Sequence, residues 1–228
     1  MTELRDFTAT AVVVGRLNPL IFSPEWLHSN SVIGPEEAAV AREHGIEVMA
    51  PNITSLVLGS MKLIVEEERF LLTVSDEPLI RAKDFAASCF RLLAHTPVFA
   101  VGLNFNALML AGDVERWHRF GDAIAPKQPW GDFTEDNGGK RAGGVRALVM
   151  ERSQGLGGHH GYTRIAFQVV DGAEHTANLQ VNNHFNLAHA EAPSSGAEAY
   201  KLIEEIWDEA YERSLRLLKT IKESADAA

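Results

Sequence analysis

Hydrophobic and polar positions alternate along Val98 to Leu108, VFAVGLNFNAL, near the middle of the chain. Phe99, Val101, Leu103, Phe105 and Ala107 are apolar, whereas Val98, Ala100, Gly102, Asn104 and Asn106 are small or carry amides. Successive side chains of a strand point to opposite faces, so the pattern predicts a strand with one packed and one polar face.

Upstream, residues 9–16, ATAVVVGR, are β-branched and apolar and predict a first strand. Ser23-Pro24-Glu25 is a helix start, with Ser as cap and Pro in the first turn, and leads into a short helix carrying Trp26 and Leu27. Gly34-Pro35-Glu36-Glu37 repeats the signal and predicts a second helix over 35–44, stopped by Gly45. Ile53 to Leu58, Met61 to Glu66 and Phe70 to Ser75 are apolar-rich runs separated by short polar turns, the mark of an antiparallel meander. Asp76, Glu77 and Pro78 then predict a helix with Ala82, Phe85, Ala86, Cys89, Leu92 and Leu93 on its buried stripe.

Downstream, Asp113 caps a predicted helix whose stripe is Val114, Trp117, Phe120 and Ile124. Residues 126–144 form a Pro/Gly-rich loop, and its Trp130 and Phe133 are expected to tuck onto the body or await a partner. Strands follow at Val145 to Arg152, Tyr162 to Val170 and Thr176 to Ala188, linked as hairpins by SQGLGGHHG and DGAEH. Ser194 or Ser195 caps a closing helix with Ala199, Ile203, Ile206, Ala210, Leu217 and Ile221 on one face, Trp207 and Tyr211 at its edge, and a weak tail, ESADAA.

Residues 1–96 and 97–228 thus show the same order of elements. The expected fold class is α+β: internally duplicated βαβββα units forming a continuous antiparallel sheet, with helices packed on one face and a concave open face on the other. In topology alone this is similar to the saddle of the TATA-box-binding protein and to sliding-clamp repeats, and topology carries no function with it. Gly102, Leu103 and Asn106 also form a G-L-x-x-N strand that, with a late polar–apolar strand and a terminal helix, resembles a sporadically distributed family of bacterial proteins. That likeness implies no particular activity.

Charge and cysteine content narrow the setting. The chain has 21 Lys and Arg against 31 Asp and Glu, a net charge of −10, which opposes attraction to nucleic acid or anionic lipid. Arg141, Arg146, Arg152 and Arg164, with Lys140, are the positions a nucleic-acid reading would use, though Glu135, Asp136 and Glu151 lie among them. Cys89 is the only cysteine, so no intrachain disulfide or multi-cysteine metal site can form, and on its apolar stripe it reads as a buried hydrophobe. A charged N-terminal stretch and no run of roughly 18 apolar residues lead to the expectation of a cytoplasmic protein with no membrane partner.

The late strand offers the most unusual chemistry. Leu179, Val181, Asn183, Phe185 and Leu187 share one face, and Gln180, Asn182, His184 and Asn186 share the other. Together with Asn104 and Asn106 the latter predict an amide-rich face that donates and accepts hydrogen bonds without presenting charge, suited to a polar ligand or a partner's backbone. His159, His160, His175, His184 and His189 show no spacing that converges on a metal, SQGLGGHHG lacks the order of a phosphate loop, and no positioned nucleophile stands out. No catalytic residue, metal or cofactor is assigned. The expectation is a non-enzymatic interaction protein, self-associating or part of a larger assembly, using Asn104, Asn106, Trp130, Phe133, Gln180, Asn182, His184 and Asn186. The alternatives are a small polar ligand or substrate on the same face, and nucleic acid on the arginines.

Overall fold

The computed structural model describes residues 1–140, 142–188 and 192–227. In chain order the elements are β1 (Glu3–Gly15), α1 (Pro24–Ser29), α2 (Pro35–Val40), β2 (Ile46–Ala50), β3 (Ile53–Leu58), β4 (Met61–Glu66), β5 (Arg69–Val74) and α3 (Arg81–Leu92). There follow β6 (Pro97–Leu110), α4 (Val114–Ile124), β7 (Ala147–Arg152), β8 (Gly161–Val169), β9 (Thr176–Asn186), the two-residue β10 (Ser194–Ser195) and α5 (Gly196–Ala227).

The strands form one antiparallel sheet in the order β2-β3-β4-β5-β1-β6-β9-β8-β7, with β10 pairing to the start of β6. Its seam is the β1–β6 pair, in register from Glu3 opposite Leu110 to Gly15 opposite Val98, with shifts at Arg5/Thr8 and Val14/Gly15. Outward from that seam, each half contributes its last long strand first and then the earlier ones. The halves are unequal, because the first adds β2 and carries two helices where the second carries α4.

Alternation fixes which face is covered. Ala9, Ala11 and Val13 of β1, Phe70, Leu72 and Val74 of β5, Val101, Leu103 and Phe105 of β6, and Leu179, Val181 and Phe185 of β9 are all buried. Phe70 meets Phe90 of α3 edge-on with ring centres 5.3 Å apart, and Phe105 meets Trp207 of α5 at 5.4 Å. Phe167 of β8 packs on Phe120 of α4 at 5.8 Å, and Phe22, just before α1, on Phe70 at 5.7 Å. Each such side chain contributes about 1.5–3 kcal/mol by leaving water. The fold is α+β, with a large antiparallel sheet and its helices on one face.

Two polar contacts hold α5 in place. Asn183 is 1% exposed among apolar neighbours. Its Nδ2 donates to Leu103 O (3.2 Å) and Ser214 Oγ (3.1 Å), and its Oδ1 accepts from Thr163 Oγ1 (3.2 Å). One side chain thus ties β6, β8 and β9 to the helix, and its satisfied hydrogen bonds make burial tolerable. At the other end, Asp226 Oδ1 accepts from Thr2 N (2.7 Å) and Oδ2 from Lys222 Nζ (3.0 Å). The Thr2 amide first, and then Lys222, hold the Asp226 carboxyl well below the usual carboxylate range.

Several expectations are corrected. The ESADAA tail is helical through Ala227 because Asp226 anchors it to the start of β1. β1 begins at Glu3, six residues before the apolar run, because backbone pairing with β6 rather than side-chain burial carries its polar start. β2 has no alternation by which to predict it: it is an edge strand whose residues are exposed from Ile46 to Met49. The helix after the meander starts at Arg81, past Pro78, and the second helix passes at Ala41 into a wider π turn ending at Gly45. Val114, expected in a buried stripe, is 52% exposed, whereas Trp207, expected at an edge, is 1% exposed beneath Phe105. The hairpins β7–β8 and β8–β9 form as expected, and Ser23 and Asp113 cap α1 and α4 with their side chains. No helix among the described residues is long and apolar enough to cross a membrane.

Asn183→Ala leaves buried hydrogen-bonding groups of Thr163 and Ser214 unpaired and is expected to cost about 3 kcal/mol in urea unfolding. For Asp226, a lowered folded pKa gives stability that is present above the unfolded carboxylate range and lost as pH falls. The stability difference between the natural chain and Asp226→Asn, measured by urea unfolding, is therefore expected to be full at about pH 7 and to narrow below about pH 4.

Candidate functional site

The uncovered face of the sheet carries the even-numbered residues of β6 and β9, and register lines them into rows across the strands. One row runs Thr73, Thr10, Asn104, Asn182, Arg164, Glu151 from β5 to β7. A second places Thr8, Asn106, Gln180 and Ala166 side by side, and a third runs Ile64, Leu71, Val12, Gly102, His184, Tyr162. Asn186 lies opposite Ala100. The face is therefore divided at the seam: half-buried Val12, Leu71 and Ile64 make the first half aliphatic, and amides dominate the second.

Hydrogen bonds across this face are incomplete. Asn106 Nδ2 donates to Thr8 Oγ1 (3.0 Å), Thr10 and Thr73 hydroxyls share a bond (3.1 Å), and His184 Nε2 lies 3.0 Å from Asn186 Oδ1. The side-chain oxygens of Asn104, Asn106 and Asn182 are shielded from solvent and have no hydrogen-bond partner among the described residues. Such oxygens lose hydration without a replacement, at a cost of about 1–3 kcal/mol each.

At one margin, Tyr162 and His184 stack with ring centres 4.6 Å apart and 17° between their planes, and the Arg164 guanidinium lies 4.7 Å from the Tyr162 ring centre. Arg164 Nε donates to Glu151 Oε2 (3.1 Å), a bond that raises the guanidinium pKa further. At the opposite margin Glu47 accepts from Ser55 (2.7 Å) and pairs with Lys62 (3.1 Å), contacts that lower its carboxyl pKa. The charges on this face are thus matched in ion pairs, and its interior is neutral.

Gly102 sits where the aliphatic and amide halves meet. A Cβ built there would meet only Val12 Cβ, at 3.6 Å, and the backbone is not in the left-handed region. Neither packing nor conformation demands glycine, and the missing side chain leaves the face open at this point.

The structure brings Asn104, Asn106, Gln180, Asn182, His184 and Asn186 onto this one face. Trp130 and Phe133 are elsewhere, beside a cavity of about 280 Å³ shared with Lys127 and Leu148 on the helix side. They do not tuck in: they are 59% and 82% exposed, and the buried residue of their turn is Thr134. A larger cavity, about 450 Å³, lies between α4 and β8, walled by Trp117, Phe167 and Val145. Sequence reasoning missed Tyr162, Thr10 and Thr73 as members of the face. The alternation of Tyr162 and Arg164 on β8 was visible, but their place beside His184 and Asn182 depends on register.

The other candidate chemistries have these surroundings. Cys89 is fully buried and burial pushes its thiol pKa up. No cluster of three His, Cys, Asp or Glu able to hold a metal is found among the described residues, and His189 lies outside them. Arg146 and Arg164 pair with Asp171 and Glu151, Arg152 bonds Gln154, and Arg141 lies outside the described residues.

No protein-family model matches the chain, and no curated protein matches it. The G-L-x-x-N likeness therefore assigns it to no family.

Gly102→Ala is expected to stabilise the chain by about 0.5–1 kcal/mol in thermal or urea unfolding, the cost of glycine in a strand interior. Gly161→Ala, whose Cβ would lie 1.8 Å from His184 O, is expected to lose more than about 3 kcal/mol.

Proposed function

We propose that this chain is an interaction protein that receives a protein partner on the uncovered face of its sheet. The observation carrying this reading is the row Thr10, Asn104, Asn182, Arg164 across that face, a line of hydrogen-bonding side chains that no helix or strand among the described residues covers. A neutral hydrogen-bonding half beside an aliphatic half suits a partner with an amphipathic surface: apolar side chains over Val12, Leu71 and Ile64, uncharged donors over Asn104, Asn106, Gln180 and Asn182. His184 and Asn186 extend the amide half, and Tyr162 adds an aromatic rim of the kind common in interfaces. The ion pairs at the margins leave few free cations for phosphate, so nucleic acid fits this face less well.

A small polar ligand is the second reading, favoured by the Tyr162–His184 stack and the neighbouring amides. The two readings separate by what accompanies the purified protein.

Native mass spectrometry of chain purified from its own cells is expected to show a second protein. Gly102→Leu combined with Asn104→Leu is expected to abolish that complex while the far-UV circular dichroism stays native. An unchanged complex would remove the proposal, and a small-molecule adduct lost in the same variant would replace it with the ligand reading.

A further inference from the structure

The margin of the sheet at β7 has properties of its own. All but one of its residues are exposed, and Val149 and Met150 are 55% and 60% exposed on opposite faces. Val169 N donates to Arg146 O (2.9 Å), and from there the β7–β8 register runs unbroken to Arg152 opposite Thr163. Peptide groups of alternate residues in an antiparallel strand turn to the same side. Those of Arg146, Leu148, Met150 and Arg152 therefore face β8, and those of Ala147, Val149 and Glu151 face outward. No strand among the described residues pairs with them.

The opposite edge is guarded. β2 has a register shift between Ile46 and Val48, and the Glu47 charge sits on it, bound to Ser55 and Lys62. A bulge is one of the usual means of keeping an edge strand from pairing, and it is the feature β7 lacks, since both strands carry a paired glutamate. β7 is regular. Beside it stand Trp130 and Phe133, which line a cavity with Leu148. A regular open strand, two exposed aromatics and an exposed Met combine the backbone and side-chain features of an interface.

We infer that β7 pairs with β7 of a second copy of this chain, antiparallel about a two-fold axis at Val149. A strand is complementary to itself in this arrangement, since each outward N–H meets an outward C=O and each closed contact is the same on both copies. Val149 meets its own counterpart, Leu148 faces Met150, and Ala147 faces Glu151. Charge permits it: β7 carries one Glu and one Arg, so the net −10 of each chain is not gathered at the seam. Arg146 would face Arg152 at the ends, with Asp171 offsetting Arg146. A lasting interface buries at least about 1,000 Å² in total, more than a strand seam supplies alone, and Trp130, Phe133 and Met150 provide the apolar remainder. The axis is normal to the sheet, so both uncovered faces point the same way. This inference concerns a different surface from the partner-binding face and does not rest on it.

Sedimentation velocity on the full chain tests it, from about 1 to 100 µM. The natural chain is expected to reach twice the 25.0 kDa mass, with the amides of Ala147, Val149 and Glu151 gaining deuterium-exchange protection as concentration rises. Val149→Pro removes an outward N–H but none that faces β8, and an edge strand tolerates such a proline. Val149→Lys places two charges against each other on the axis. Each variant is expected to keep the native circular dichroism and raise the dimer dissociation constant by about 100-fold or more. A natural chain monomeric throughout the range, or a dimer of unchanged affinity in either folded variant, overturns the inference.

Discussion

The antiparallel pairing of β1 with β6 is the interaction on which the remaining architecture depends. It joins strands from the two halves of the chain and sets the register of everything outward from them. Opposite Leu103 stands Ala11, and opposite Asn104 stands Thr10, so apolar residues meet beneath the helices and polar ones meet on the other face. A slip of one residue would exchange those faces over the whole width of the sheet. The helix side makes that slip costly, because Phe105 would leave Trp207 and enter water.

Asn183 reinforces the same register from the covered side. It is a polar residue in an apolar line, and its hydrogen bonds hold when β6, β8, β9 and α5 are all in place. Buried polar groups gain little net stability over well-packed apolar ones, yet they penalise alternative arrangements strongly. The contact of Asp226 with Thr2 closes the long helix onto the start of the central strand, so the two ends of the described chain meet.

On the uncovered face the balance differs. Aliphatic and amide halves meet at Gly102, charged residues at the margins are held in pairs, and three asparagine oxygens have no partner among the described residues. Rigid strands hold this pattern, so a partner would meet a surface already arranged. Pairing of two copies at β7 would set two such faces side by side, and a partner with repeated binding elements would gain from engaging both.

The sequence by itself determined the type of the long elements and the sidedness of the long strands, because burial of one face writes a period of two into β6 and β9 and a period near 3.6 into α3 and α5. It also identified the caps at Ser23 and Asp113, and the amides Asn104, Asn106, Gln180, Asn182 and Asn186 with the imidazole of His184 as residues sharing polar faces, since these follow from neighbours a few positions away. Tertiary structure decided what depends on distant partners. β2 and the start of β1 are held by backbone pairing that leaves no side-chain signature, and Trp130 and Phe133 are exposed although their apolar character suggested cover. Tyr162 and Arg164 joined the amide row through β8–β9 register, and only the placement of every helix on one side left that row uncovered.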